Sequence, residues 1–180
     1  MKVINLFAAP GTGKSATAKI LSGMLSLADY KVEFLPEFAK FATLARNQAA
    51  LGDQIYMFAK QENRLRVLAN TDIDFAVMDG PLPLALLFQP ANYYEHYEPL
   101  VMEVFSSFDN VNFLLHRNAE SAYKTFGRNE TEEQAAALHR LLVDVLERNK
   151  VTLHGEYVVD RALPAKLFEV VTGKKMPFKI

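Results

Sequence analysis

The chain has 180 residues, half of them hydrophobic, with 20 Lys and Arg against 21 Asp and Glu for a net charge of −1. That length fits one domain with a core of its own. The even charge excludes a protein held on nucleic acid by bulk attraction, so any such contact needs a local patch, and the absence of cysteine excludes disulfides, thiolate zinc sites and cysteine nucleophiles.

Residues 3–7 read as a buried strand, apolar, β-branched at its start and stopped by Ala-Ala-Pro-Gly. No basic segment with a long apolar region and a small-residue cleavage site precedes it, so no export signal is expected. Over 14–27, Ala18, Leu21 and Leu25 recur at helical spacing. Residues 30–35 form a second predicted strand, closed by Pro36, which cannot donate to a ladder. A short helix is predicted over 37–46. A longer one follows over 53–69, with Ile55, Phe58, Leu65 and Leu68 on a broken apolar face.

Residues 75–78 are a third strand, ending at Asp79-Gly80-Pro81. The longest apolar run, 81–88, carries two prolines and falls far short of the roughly eighteen residues of a membrane helix. A soluble protein of the cytoplasm (a host's cytoplasm, if phage-encoded) that engages no membrane is the expectation. Residues 89–99 are a loop dense in aromatics, including Tyr93, Tyr94 and Tyr97, and 99–108 read as helical. A fourth strand over 111–115 leads into the polar stretch 116–130. Thr131-Glu132-Glu133-Gln134 spells a capping box, predicting a helix to about Asn149. A last strand is expected over 156–159. The tail from Thr172 is Lys-rich and reads as an edge or a disordered end, and 163–180, with Lys174 and Lys175, as a DNA-facing edge or a segment without a role. Strands alternating with helices predict an α/β fold with a mainly parallel five-stranded sheet in a three-layer sandwich.

The first strand-to-helix turn carries the chemistry. Ala8 to Ser15 match the phosphate-loop pattern G-x-x-x-x-G-K-[ST], except that Ala8 stands where the first glycine is usual. A phosphate cradle needs inward backbone N–H groups and a helix N-terminus aimed at the anion. Small residues keep that approach open, and Ala8 is poorly suited only if its position demands a positive φ. Ala9, Pro10, Gly11, Thr12, Gly13, Lys14, Ser15 and Thr17 are therefore the expected nucleotide contacts. Lys14 would reach the terminal phosphates of ATP, and Ser15 and Asp79 would hold Mg²⁺.

The spelling PGTGKS also occurs in oligomeric motor ATPases, which need an acidic pair to activate water. Here Gly80, not a glutamate, follows Asp79. The stretch after the fourth strand, HRNAESAYKTFGRNE, has the character of a kinase lid, with Arg117, Lys124 and Arg128 and a possible hinge at Gly127. Arginines there would meet the charge spread over the transferred phosphoryl oxygens. Glu37 lies at the carboxyl end of the second strand, where ligands of α/β sheets gather. It is a candidate general base; an ordinary helix N-terminal glutamate would look the same, and Asp79 is its rival for the role.

The set INLFAAPGTGKSATA, LPEFAK, GDQIYMFAKQENRL, VMDGPLPL and FGRNETEEQA, spread over residues 3–150, resembles a family of small phage-type P-loop kinases. That family is similar to ribosylnicotinamide kinase domains, and its phage members include 5-hydroxymethyluridine DNA kinases. The resemblance implies transfer of the ATP γ-phosphate to the hydroxymethyl group of 5-hydroxymethyluracil in DNA, with Glu37, Lys40, Gln54 and Gln61 near the acceptor. Gln54 and Gln61 are seven apart and share a helical face, with Lys60 and Arg64 beside them. Phe38, Phe41, Tyr56 and Tyr93 are aromatics able to stack a base, although core packing is the better explanation of any one of them. A free nucleoside, nucleotide or ribosylnicotinamide as acceptor, and an NTP-driven switch without an acceptor, are the competing expectations.

Overall fold

Five strands, β1 (Lys2–Phe7), β2 (Val32–Leu35), β3 (Phe75–Met78), β4 (Asp109–His116) and β5 (Gly155–Val158), form one sheet in the order β2-β3-β1-β4-β5. Every pairing in it is parallel. The structure is a computed structural model, and it describes residues 1–120 and 130–177. Seven α-helices are found among those residues: α1 (Lys14–Leu27), α2 (Phe38–Leu44), α3 (Gln48–Gly52), α4 (Gln54–Ala69), α5 (Tyr97–Ser106), α6 (Glu132–Arg148) and α7 (Leu163–Thr172). A 3-10 helix spans Leu82–Leu87.

A parallel sheet covered on both faces explains why its strands read as apolar runs rather than as clean alternation. Val3 and Phe7 of β1 enter the core under α4, α5 and α6, while Ile4 and Leu6 enter the core under α1 and α7. The exception is Asn5, buried mid-strand. Its Nδ2 donates to Asn112 Oδ1 at 3.0 Å and to Asn110 Oδ1 at 2.8 Å on β4, so the buried amide is satisfied.

The predicted elements are present with shifted ends. The helix expected over 37–46 is shorter, because Arg46 turns to φ 54° and a separate turn of helix, α3, follows it. The 3-10 helix and α7 were not foreseen. Proline at both Pro81 and Pro83 hid the former, and the latter is capped by Asp160, whose Oδ1 accepts from the N–H groups of Ala162 and Leu163 at 2.9 and 2.7 Å. Leu163, Leu167, Phe168 and Val171 are buried against α1, so the first half of the C-terminal segment is core and not an edge. On α4 the expected apolar face is corrected too. Ile55 is 46% exposed, and the buried stripe is Gln54, Met57, Phe58, Gln61 and Leu65. Among the described residues no helix is long and apolar enough to cross a membrane.

The strand order sets the site. The helix after β1 packs on one face, whereas those after β2, β3 and β4 pack on the other. That reversal opens a crevice at the carboxyl end of β1, between it and its neighbours.

Candidate functional site

The loop from β1 to α1 takes its shape from two glycines. Gly11 has φ 86° and Gly13 φ 102°, conformations that L side chains rarely adopt. A Cβ on Gly13 would also fall 2.9 Å from Val159 Cγ1, so the residue after β5 walls the loop. Ala8 is buried and does not have positive φ, so the missing first glycine brings no backbone strain. Thr12 Oγ1 donates to the Ala9 carbonyl at 2.8 Å and pins the turn. Thr17 Oγ1 donates back to the Gly13 carbonyl at 3.3 Å, within its own helix. No side chain caps α1, and its first turn carries no acid. Its leading N–H groups and the positive end of its dipole therefore suit an anion.

Lys14 sits at the centre of a charge cluster. Its Nζ donates to Asp79 Oδ1 at 2.9 Å, to Glu37 Oε2 at 3.1 Å and to the Asp79 carbonyl. Lys14 is 7% and Asp79 2% exposed. Burial alone would discharge the lysine, but the Glu37 and Asp79 carboxylates outweigh it and hold the ammonium above its ordinary value. Burial likewise opposes the Asp79 carboxylate. The Lys14 charge, with the Ser15 hydroxyl and the more distant Lys40, nonetheless keeps it below the usual range. Ser15 and Asp79 form a hydroxyl–carboxylate pair of hard oxygen donors, fitting Mg²⁺ that takes its remaining ligands from phosphate and water. Among the described residues no group of three or more His, Cys, Asp or Glu could hold a metal alone.

Glu37 is the N-cap residue of α2, yet its side chain makes no capping bond. It turns to Lys14 instead. The first free N–H of α2, that of Phe38, is taken by Gln61 Oε1 of α4 at 3.1 Å. Gly80 makes the approach of Glu37 possible: a Cβ there would lie 3.1 Å from both Glu37 Cα and Cγ. The glycine after Asp79 is thus the contact that lets the end of β2 close on the end of β3.

On its far side Glu37 borders a small open cleft of about 60 Å³, walled by Phe38, Met57, Phe58 and Leu84 with Gln54 and Gln61 as further polar members. The structure therefore gathers Lys14, Ser15, Glu37, Asp79, Phe38, Gln54 and Gln61 in one place. Tyr93 is not among them. It lines a second cavity with Pro90 and Arg148 and stacks edge-on against Tyr94 and Tyr97, with centroids at 4.8 and 4.9 Å. Tyr97 itself is buried and donates to the Gln54 carbonyl at 2.8 Å. Arg117 follows β4 and pairs with Glu132 at the start of α6. Lys124, Gly127 and Arg128 lie outside the described residues. Met57, Leu84 and Val159 were missed in the sequence, where each looks like any core residue.

No curated protein matches the chain in sequence. A family model described as AAA domain matches residues 3–160, taking in the phosphate loop, Glu37, Asp79 and the whole sheet. By that match, and by a glycine-shaped loop leading into the Lys14–Asp79 cluster on an all-parallel sheet, the chain belongs to the AAA domain family of nucleotide-binding P-loop proteins.

Proposed function

We propose that the protein is an ATP-dependent kinase acting on the hydroxymethyl group of a modified pyrimidine, 5-hydroxymethyluracil, in DNA. The observation that carries this reading is the position of Glu37, which touches Lys14 of the phosphate loop on one side and borders an apolar cleft on the other. A phosphoryl donor and a hydroxyl acceptor placed in those two spaces would meet at its carboxylate.

ATP would supply the γ-phosphoryl group, and Mg²⁺ held by Ser15 and Asp79 would offset the charge that develops on it. The acceptor oxygen forms a bond to the γ-phosphorus, the bond from that phosphorus to the β–γ bridging oxygen breaks, and ADP leaves. The Glu37 carboxylate takes the hydroxyl proton, and Lys14 steadies the transferred group. Asp79 is the weaker candidate for base: it is bonded to Lys14 and Ser15, is almost fully buried and does not line the cleft. Arg117 and Arg128 are the cations proposed to meet the charge on the transferred phosphoryl group. Lys40 would balance carboxylate charge at the metal pair.

Support for a polymer acceptor comes from the rim. Phe41 and Tyr56 are exposed there. Lys60 Nζ lies 5.3 Å from the centre of the Tyr56 ring, and the Arg64 guanidinium lies 5.1 Å from that of Phe38. Aromatic rings interleaved with cations suit stacked bases and phosphates, and they make a basic patch on a chain that is neutral overall. The family match favours a second reading, an NTP-hydrolysing switch. Against it stands Gly80, which leaves Asp79 without an adjacent acid to activate water.

Incubation with Mg²⁺ and γ-labelled ATP separates these readings when modified DNA, unmodified DNA and free 5-hydroxymethyldeoxyuridine are offered side by side. Label on the modified DNA is the expected result. Label on the nucleoside alone would make the protein a small-molecule kinase. Release of phosphate at one rate with or without acceptor would support the switch.

A further inference from the structure

Gln61 is held in an unusual way for a residue in a helix stripe. It is 6% exposed, and its amide orientation is fixed because Oε1 accepts from the Phe38 N–H at 3.1 Å. The opposite end, Nε2, is buried and has no hydrogen-bond partner in the protein. A buried amide nitrogen left unpaired is costly, and such groups in native structures are few. Gln54, seven residues earlier on the same helical face, is tied the other way round. Its Nε2 donates to the Leu51 carbonyl at 2.9 Å, which leaves its carbonyl oxygen to serve a ligand. Both side chains border the cleft beside Glu37, whose other walls are apolar.

We infer that Gln61 and Gln54 are specificity-determining residues that read a carbonyl–imino edge on the acceptor ring. Gln61 Nε2 donates to a carbonyl and Gln54 Oε1 accepts from the neighbouring ring N–H. This rests on the kinase reading of the cleft and goes further, because it fixes the class of ring. With the hydroxymethyl group at Glu37, the inference puts the adjacent ring substituent at Gln61, which lines the same cleft and whose Oε1 is held by the Phe38 N–H. In a 5-hydroxymethyl pyrimidine that neighbour is the 4-position. Uracil presents a carbonyl there with N–H beside it, whereas cytosine presents an amino donor with a bare nitrogen beside it. A cytosine-type ring would set donor against donor at Gln61 and acceptor against acceptor at Gln54. Sites built to pair a polar edge reject rings that leave it unpaired.

The test uses single-stranded oligodeoxynucleotides carrying one 5-hydroxymethyluracil or one 5-hydroxymethylcytosine. Binding is followed by fluorescence anisotropy and transfer by labelled ATP, on wild type, Gln61→Glu and Gln61→Leu. Wild type is expected to prefer the uracil oligonucleotide by on the order of ten- to a hundredfold. Gln61→Glu keeps an oxygen for the Phe38 N–H but replaces the donor by an acceptor, so its preference should fall toward parity or reverse. Gln61→Leu should lose the preference without reversing it. A merely structural role would scale both oligonucleotides alike and leave the ratio unmoved. Equal use of both by wild type, or a ratio unchanged in both variants, would overturn the inference while leaving a kinase in place. Preferential binding of the uracil oligonucleotide without transfer would overturn the kinase and leave the edge reading standing.

Discussion

Two carboxylates share one ammonium at the heart of the site, and their surroundings divide the work between them. Asp79 is sealed in and spent on Lys14 and Ser15, whereas the Glu37 side chain keeps 31% of its exposure and faces the cleft. Glu37→Gln should therefore lower turnover by about two to four orders of magnitude with nucleotide affinity little changed, as turnover and nucleotide titration on the same preparation would show. Near-normal turnover would hand the proton to Asp79. Lys14→Ala leaves the two carboxylates facing each other without their cation and removes the charge that steadies the phosphoryl group. Loss of transfer by at least about a hundredfold is expected. Lys14 and Ser15 were legible in the sequence because the loop pattern is a local rule of spacing, and Asp79 because it ends an apolar strand. Gly80 was legible only as a departure. Its reason, the close approach of Glu37, spans 43 positions of chain and has no local signature.

At the scale of elements, the ends of β2 and β3 meet where Gly80 faces the backbone of Glu37. Gly80→Ser adds a hydroxyl beside the metal pair but places a Cβ against the backbone of Glu37. Overpacking of this kind should destabilise the fold by about 1–3 kcal/mol and slow transfer by displacing Glu37, with denaturant midpoints and turnover measured on one sample. Helix α4 shows why its role was only half readable. Gln54 and Gln61 lie in phase with Met57, Phe58 and Leu65, and a pattern search that counts only apolar residues rotates the face toward Ile55. What keeps the glutamines buried is pairing with Leu51 and Phe38, which periodicity does not encode. Helix α7 escaped notice for a different reason. Its charged residues and following lysines mask a stripe that becomes evident only once α1 lies against it.

For the molecule as a whole, acid should be more damaging than base. The Asp79 carboxyl is held below its ordinary value, and Glu98 is held low by hydrogen bonds from Arg148 and Asn149 that tie α5 to the end of α6. Groups depressed in the folded state contribute stability above their unfolded values, about 4. That contribution is lost as pH falls through the folded ones. Melting temperature should thus hold from neutral pH down to about 5 and drop steeply below about 4. Glu98→Gln should flatten part of that drop, and thermal scans across the range would show it. The overall architecture was the most legible property, since alternating strands and helices admit few sheet orders once crossovers keep one hand. The contact of Glu37 with Gly80 also bears on descent. A motor-type acidic pair would put a Cβ at position 80 about 3.1 Å from the Glu37 backbone, so gaining the second acid would crowd the carboxylate that holds Lys14. A step toward such a hydrolase would thus act on the proposed base and on the new acid together.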